Sequence, residues 1–364
     1  MAQAKGSRLN ILVLRLGGIG DAVVSLPALR ALRKGFPNSK ITIACQSWLK
    51  EIFEGENIAN EFIVYDNLFS AKTKDLFKPM AWKELFHLAR RLLMERWDFF
   101  MAFHPMYSFK ECLRPLLFSI LSRAKRRIGM DSSSRGWFYH KRARYNRWGI
   151  RNYADILADT VELLEIEVKD RKPLIILSEG EREWARKFLE REGWKESSSL
   201  IGFCPTGRLK TKWWDWDRYL TVLKWIRDEH KDSKFLLTIG KGEDEAERFF
   251  VDGLGTDLIL AKGLPIRNLA STIEKCNLFI SNDTGPMHLA FAVGVPTIGL
   301  FGPGEWQRWA YNDENFFAIH HMVDCWPCYK DICDRGHICM KKITVEEVLE
   351  KVKEALEKKW KDRA

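Results

Sequence analysis

The sequence predicts an α/β protein of two doubly wound domains, and three observations carry that reading. At 364 residues the chain is too long for one typical core and suits two domains of about 150–200 residues each. Short apolar runs alternate with segments of helical periodicity in both halves, the pattern of parallel βαβ units. Two loops, at residues 16–21 and 282–286, each leave an apolar run and open a helical segment.

The elements follow in chain order. Residues 9–16 read as a strand of continuous apolar character. Residues 21–34 read as a helix whose apolar face holds Val23, Val24, Leu26, Leu29 and Leu32. Residues 41–44 give the next strand. In the second half the strands are 199–204, 235–239, 258–260, 278–281 and 297–301, and the helices between them are 216–228, 243–250, 266–275 and 286–293. The charged stretch 167–173 marks the boundary, giving domains 1–170 and 171–345. A final helix over 345–361 closes the chain, and segment 346–364 is expected to pack back on the first domain. Residues 286–303 lack Asp, Glu, Lys and Arg and mimic a membrane span, but their prolines and glycines fit strand–loop–helix–strand better. Two such domains facing each other enclose a cleft at the carboxyl ends of both sheets, where open α/β sheets bind ligands.

Composition narrows the class. Hydrophobic residues at 46% and charged residues at 30% describe a soluble globular protein. Residues 1–8 are polar and lack the apolar region of a secretion signal. The net charge of +10 lies in the first half: residues 1–168 hold 27 Lys and Arg against 17 Asp and Glu, whereas residues 169–364 hold 32 of each. The densest stretch, 123–151, has ten basic residues and only Asp131 against them. Such a half points to a polyanion (nucleic acid, an anionic membrane surface or a phosphorylated glycolipid) or is simply a solvated surface.

Of eight cysteines, Cys45, Cys112, Cys204 and Cys276 are scattered and read as core residues. Cys325, Cys328, Cys333 and Cys339 cluster with the spacing C-x2-C-x4-C-x5-C. They suit a structural zinc or iron site, with His320, His321 and His337 as spare ligands; disulfides and free thiols are the alternatives. Reduced thiols in a cytoplasm are the default.

Two motifs carry the chemistry. In Ile280-Ser281-Asn282-Asp283-Thr284-Gly285-Pro286-Met287-His288, Asp283 and Thr284 are N-cap types and Pro286 suits the first helical turn. The free amides at such a helix start make a seat for a phosphate or diphosphate, and His288 lies one turn in as a further donor. A capped helix with a satisfied histidine is the plainer reading. The loop Leu16-Gly17-Gly18-Ile19-Gly20-Asp21 resembles a dinucleotide fingerprint but lacks its third glycine and an acidic end to the second strand. Gly17, Gly18 and Gly20 permit close approach of a ligand. Asp21 is either a base for an incoming hydroxyl or a stabilising acid of the first helical turn.

Together the motifs resemble the bacterial heptosyltransferases, glycosyltransferase family nine. Ile11-Leu12-Val13-Leu14-Arg15 through Gly20-Asp21 to Leu26-Pro27-Ala28-Leu29 is similar to the family's opening. Asn282-Asp283-Thr284-Gly285-Pro286-Met287-His288-Leu289-Ala290 through Gly294-Val295-Pro296 to Leu300-Phe301-Gly302-Pro303 is similar to its donor-site signature. Residues 50–125 add little. The resemblance implies a GT-B fold of two Rossmann-like domains and an inverting transfer without a catalytic metal. It implies ADP-L-glycero-D-manno-heptose as donor and the lipopolysaccharide inner core, of the Kdo-lipid A type, as acceptor. It implies Asp21 as general base and Lys212 on the donor phosphates. Asp283, Thr284, Gly285 and His288 would meet the diphosphate and sugar, and Glu243 or Glu245 the ribose. Trp213, Trp214 and Trp216 either wall that site or pack a core. The basic first half then offers Arg126, Arg127, Arg135, Lys141, Arg142 and Arg144 to the acceptor's carboxylates and phosphates. Leu113, Leu116, Leu117, Ile120 and Leu121 repeat at helical spacing, either docking on the inner leaflet or packing a core. The expected place is the cytoplasmic face of the inner membrane. Other readings are the same fold with another nucleotide-sugar or acceptor, and a nucleic-acid-binding protein using the basic stretch and a cysteine knuckle. Two ordered cleft motifs argue against the last, so no nucleic acid is expected.

Overall fold

The computed structural model describes residues 8–66, 79–106, 108–144 and 151–361. Residues 1–7 and the part of the basic stretch at 145–150 lie outside them. The chain forms two units, Met1–Pro173 and Leu174–Ala364.

In the first unit the order is β1 (Asn10–Leu14), α1 (Ile19–Gly35), β2 (Lys40–Cys45), α2 (Ser47–Glu54), β3 (Glu61–Val64), α3 (Pro79–Met94), β4 (Phe99–Ala102), α4 (Phe109–Ser122), β5 (Arg126–Asp131), β6 (Lys141–Arg144) and α5 (Tyr153–Glu162). The six strands pair in parallel as β3-β2-β1-β4-β5-β6. The central strands are apolar on both faces because helices cover both, as the unbroken run Ile11 to Leu14 suggests. On one face α3 and α4 share a core with Leu12, Leu14 and Phe100. Elsewhere α1 packs with α2 and α5.

The second unit runs α6 (Glu179–Arg191), β7 (Leu200–Cys204), α7 (Trp216–Glu229), β8 (Lys234–Ile239), α8 (Asp244–Leu254), β9 (Leu258–Lys262), α9 (Ile266–Glu274), β10 (Leu278–Asn282), α10 (Gly285–Ala292), β11 (Thr297–Phe301), α11 (Trp306–Trp309), β12 (Phe316–His320), α12 (Ile338–Lys341) and α13 (Val345–Lys361). Its parallel sheet has the order β12-β11-β10-β7-β8-β9. The uncharged run 286–303 divides into most of α10 and all of β11. No helix among the described residues is long and apolar enough to cross a membrane.

The last helix departs from expectation. Val348, Val352, Ala355 and Leu356 are buried in the second unit's own core, and α13 packs on α7 and over β10, β11 and β12. Their spacing makes one apolar stripe. The sequence displays that stripe without saying which sheet face it covers, so packing on the first domain is corrected to packing within the second.

Candidate active site

In the second sheet the chain runs outward one way from β7 and the other way from β10. The loops after these neighbouring strands part, and that switch point is where open sheets bind ligands. A short turn, Lys210–Lys212, brings Lys212 Nζ to 2.5 Å from Asp283 Oδ2. Asp283 is buried and Lys212 partly so. Asn282 ties the two loops together: its Oδ1 accepts from the Trp214 amide at 3.1 Å and the Tyr219 hydroxyl at 3.2 Å. Trp213 Nε1 donates to Gly207 O at 2.9 Å and Trp216 Nε1 to Pro205 O at 3.3 Å, and the two indoles stack. These indoles hold the loop after β7, while Trp214 is buried in the core.

Thr284 is the N-cap of α10, but its hydroxyl accepts from none of the first-turn amides. It approaches Ser281 Oγ at 3.3 Å and donates to Asn282 O at 3.3 Å instead. Gly285 begins the helix. Asp283, an expected cap type, is engaged with Lys212. His288 is buried, its Nδ1 2.6 Å from the Tyr311 hydroxyl. Burial pushes the Tyr311 phenol well above its ordinary value, and the charge of Asp283 adds to this. Glu243 Oε2 accepts from the Gly240 amide at 2.7 Å and the Thr206 hydroxyl at 2.8 Å, fixing the loop after β8. Glu245 is exposed on α8.

The first sheet has its switch point between β1 and β4, and the glycine loop leaves β1 there. Gly18 caps α1, and its amide donates to Asp21 Oδ2 at 2.9 Å. Asp21 Oδ1 lies 3.3 Å from Nη2 of Arg15, which is fully buried and also donates through Nε to the Asp21 carbonyl at 3.0 Å. The Asp21 side chain keeps 28% of its surface exposed, so it caps the turn and still reaches solvent. A Cβ on Gly17, whose φ is +131°, would lie 2.6 Å from that carboxylate; glycine alone lets the loop lie so close. Gly20 is buried within α1. His104, in the loop after β4, is pushed down to about 4, by burial first and the Arg15 cation next, with Asp21 opposing. Sequence reasoning missed Arg15 and His104 as site residues; the signals were a charge ending an apolar strand and a histidine following Phe103.

The six acceptor candidates do not converge. Arg126 and Arg127 pair with Phe99 and Phe100, level with Ile11 and Leu12 near the start of β1, away from the glycine-loop edge. Lys141 Nζ donates to Leu163 O at 2.7 Å. Arg142 is level with Leu14, and Arg144 lies beyond it opposite Asp131. Arg135, in the loop after β5, stands with these two at the carboxyl edge.

The cysteine segment adjoins the donor side. Cys328 N donates to Pro303 O at 3.1 Å and Trp326 Nε1 to Gly304 O at 2.9 Å. A Cβ on Gly304 would lie 3.6 Å from Asp283 Oδ2, so this segment braces the loop beside Asp283. The four thiols are free of disulfides. Burial raises the Cys339 thiol, with Cys328, Cys325 and Cys333 adding to the effect. Thiol chemistry suits zinc or iron, yet among the described residues no three His, Cys, Asp or Glu groups are gathered to hold an ion. As folded, the residues do not fit a bound metal.

Two six-stranded parallel units of this order make up the GT-B fold. Residues 103–338 match the model of glycosyltransferase family 9 (heptosyltransferase), and the chain belongs to that family. Lipooligosaccharide heptosyltransferase 2 of Campylobacter jejuni is 26% identical over 343 residues, covering 92% of this chain and 95% of that protein. A family 9 glycosyltransferase from Veillonella parvula superposes with a TM-score of 0.79 at 24% identity, covering 97% of this chain and 99% of that one. The ADP-heptose lipopolysaccharide heptosyltransferase II of E. coli does so at 0.73 and 20% identity, covering 98% and 100%.

Proposed function

We propose that the protein is an inverting heptosyltransferase, moving L-glycero-D-manno-heptose from ADP-heptose to a Kdo-lipid A type inner core at the cytoplasmic face of the inner membrane. The Lys212–Asp283 contact at the second sheet's switch point carries the reading. As the bond between the anomeric carbon and its phosphate oxygen breaks, negative charge gathers on the β-phosphate of the leaving ADP. Lys212 and the first amides of α10 supply fixed positive charge there, which removes the need for a catalytic divalent ion. Asp283 holds the ammonium in place. Asp21 takes the proton of the acceptor hydroxyl as its oxygen bonds the anomeric carbon from the opposite side. Arg15 and the Gly18 amide fix the orientation of that carboxylate. Arg135, Arg142 and Arg144 are the acceptor contacts favoured by their position at the glycine-loop edge. The cysteine segment serves as a brace for the donor loop. The names of the Campylobacter and E. coli relatives support ADP-heptose as the donor and a lipooligosaccharide or lipopolysaccharide as the class of acceptor.

The test is ADP release from ADP-heptose with Kdo-lipid A, and separately with its mono-heptosylated form. Wild type should release ADP with one acceptor only. Asp21→Ala should lose about 10²–10⁴ in rate with ADP affinity kept. Lys212→Met should lose about 10²–10³ and bind ADP more weakly. Full activity in Asp21→Ala would remove the base assignment. ADP binding without release on either acceptor would remove the acceptor assignment.

A further inference from the structure

α3 and α4 pack side by side. Their inner residues, Leu88 and Leu92 on α3 and Cys112 and Phe118 on α4, lie in one core cluster. The outer face of a surface helix is ordinarily polar. Here it is apolar on both. On α3, Trp82, Phe86, Ala89 and Leu93 recur at the spacing of a single stripe; its large members are all exposed, Trp82 and Phe86 at 63% and 66%. On α4, Phe109, Leu113 and Ile120 repeat that spacing at 78%, 64% and 59% exposure, while Leu116 beside them is half-buried and packs inward against the core cluster. The Arg135 guanidinium sits 5.6 Å from the Phe109 ring centre, which brings the loop carrying exposed Trp137 to the start of α4. Isolated exposed apolar side chains are ordinary, but paired stripes on adjacent helices mark a docking face.

Charge selects the occupant. Exposed Lys83, Arg90, Lys110 and Arg123 flank the stripes. The capping carboxylate of Glu111 is engaged by the Ser108 amide at 3.1 Å. A second copy would bring the same cations against them. An anionic bilayer meets both demands, taking aromatic and aliphatic side chains into its interface and cations onto its head groups.

We propose that the outer faces of α3 and α4 form a membrane-docking surface for anionic lipid. This deepens the reading above by assigning the face that meets the membrane, and it stands on exposure and charge rather than on the transfer reaction. None of the four flanking cations, and none of the stripe residues, is assigned to donor or acceptor.

The test is co-sedimentation of the full chain with vesicles of phosphatidylethanolamine and phosphatidylglycerol, and with phosphatidylcholine alone. Binding should be at least about tenfold stronger to the anionic vesicles and should weaken as salt rises from about 0.1 M to about 0.5 M. Phe86→Glu with Leu113→Glu should lower binding at least about tenfold while ADP affinity stays unchanged. Lys83→Glu with Lys110→Glu, which leaves the apolar stripes intact, should abolish the preference for anionic lipid. Equal binding by wild type and both double variants would overturn the proposal. So would failure of wild type to bind either vesicle, or a wild-type dimer that Phe86→Glu with Leu113→Glu renders monomeric. Failure of heptose transfer with vesicle binding intact would overturn the functional reading and leave this surface standing.

Discussion

At the scale of single residues, His104 is the most informative group outside the recognised motifs. Its imidazole is pushed down to about 4, mainly by burial, with the buried Arg15 cation as the next cause. Near neutral pH it is therefore uncharged beside Asp21 and adds no positive charge to the base. The unfolded chain binds a proton at this histidine below about 6.5, whereas the folded chain does not until about 4. Between those values the unfolded state holds more protons, so stability falls as pH falls; above about 6.5 the residue contributes no slope. The effect is at most about 3 kcal/mol. His104→Gln should flatten this part of the profile, read by urea unfolding at several pH values between about 4 and about 7. An unaltered slope in the variant would place the acid sensitivity elsewhere.

At the scale of elements, the donor side depends on how closely the loop after β7 approaches the start of α10. Gly207 has φ +150°, and a Cβ there would overlap Thr284 Cγ2. Gly207→Val adds both backbone strain and overlap at the helix N-cap, worth about 1–3 kcal/mol each. The loop must withdraw, and Lys212 with it. ADP affinity should fall about tenfold or more by calorimetric titration, with a lowered melting temperature. Unchanged ADP affinity would mean that the loop's position does not set the seat. Much of this side is legible in the sequence: strands 278–281 and 297–301 and helix 266–275 lie within a residue of β10, β11 and α9, and the motifs mark both Lys212 and Asp283. What escapes is tertiary. Asp283 reads as a cap from its neighbours in sequence, but a lysine far along the chain engages it. Likewise Arg15 reads as a strand end until the Asp21 carbonyl and carboxylate surround its guanidinium.

At the scale of the whole molecule, each unit has its own core, and the chain's last helix belongs to the second. Periodicity gives the bounds of α13 to the residue, but a one-sided stripe fits any open sheet face, which is why periodicity does not identify its partner. The placement matters for function. α13 packs over β10, the strand that delivers Asp283 to Lys212. Just before it, Ile343 O accepts from Trp214 Nε1 at 2.9 Å, close to Lys212 in the chain. The carboxyl-terminal segment thus supports both loops of the donor side. Val352, on the core-facing side of this helix, is fully buried. Val352→Asp sets an unpaired carboxylate in an apolar core, at a cost of several kcal/mol against the roughly 5–15 kcal/mol that typically holds a domain. The variant should lose ADP binding in calorimetric titration. Its heat scan should lose the second unit's transition and the stabilisation that ADP gives wild type, while the first unit still unfolds cooperatively. If ADP bound Val352→Asp as tightly as wild type, α13 would be a passenger on the second sheet, and the support it gives β10 would not reach the Lys212–Asp283 contact.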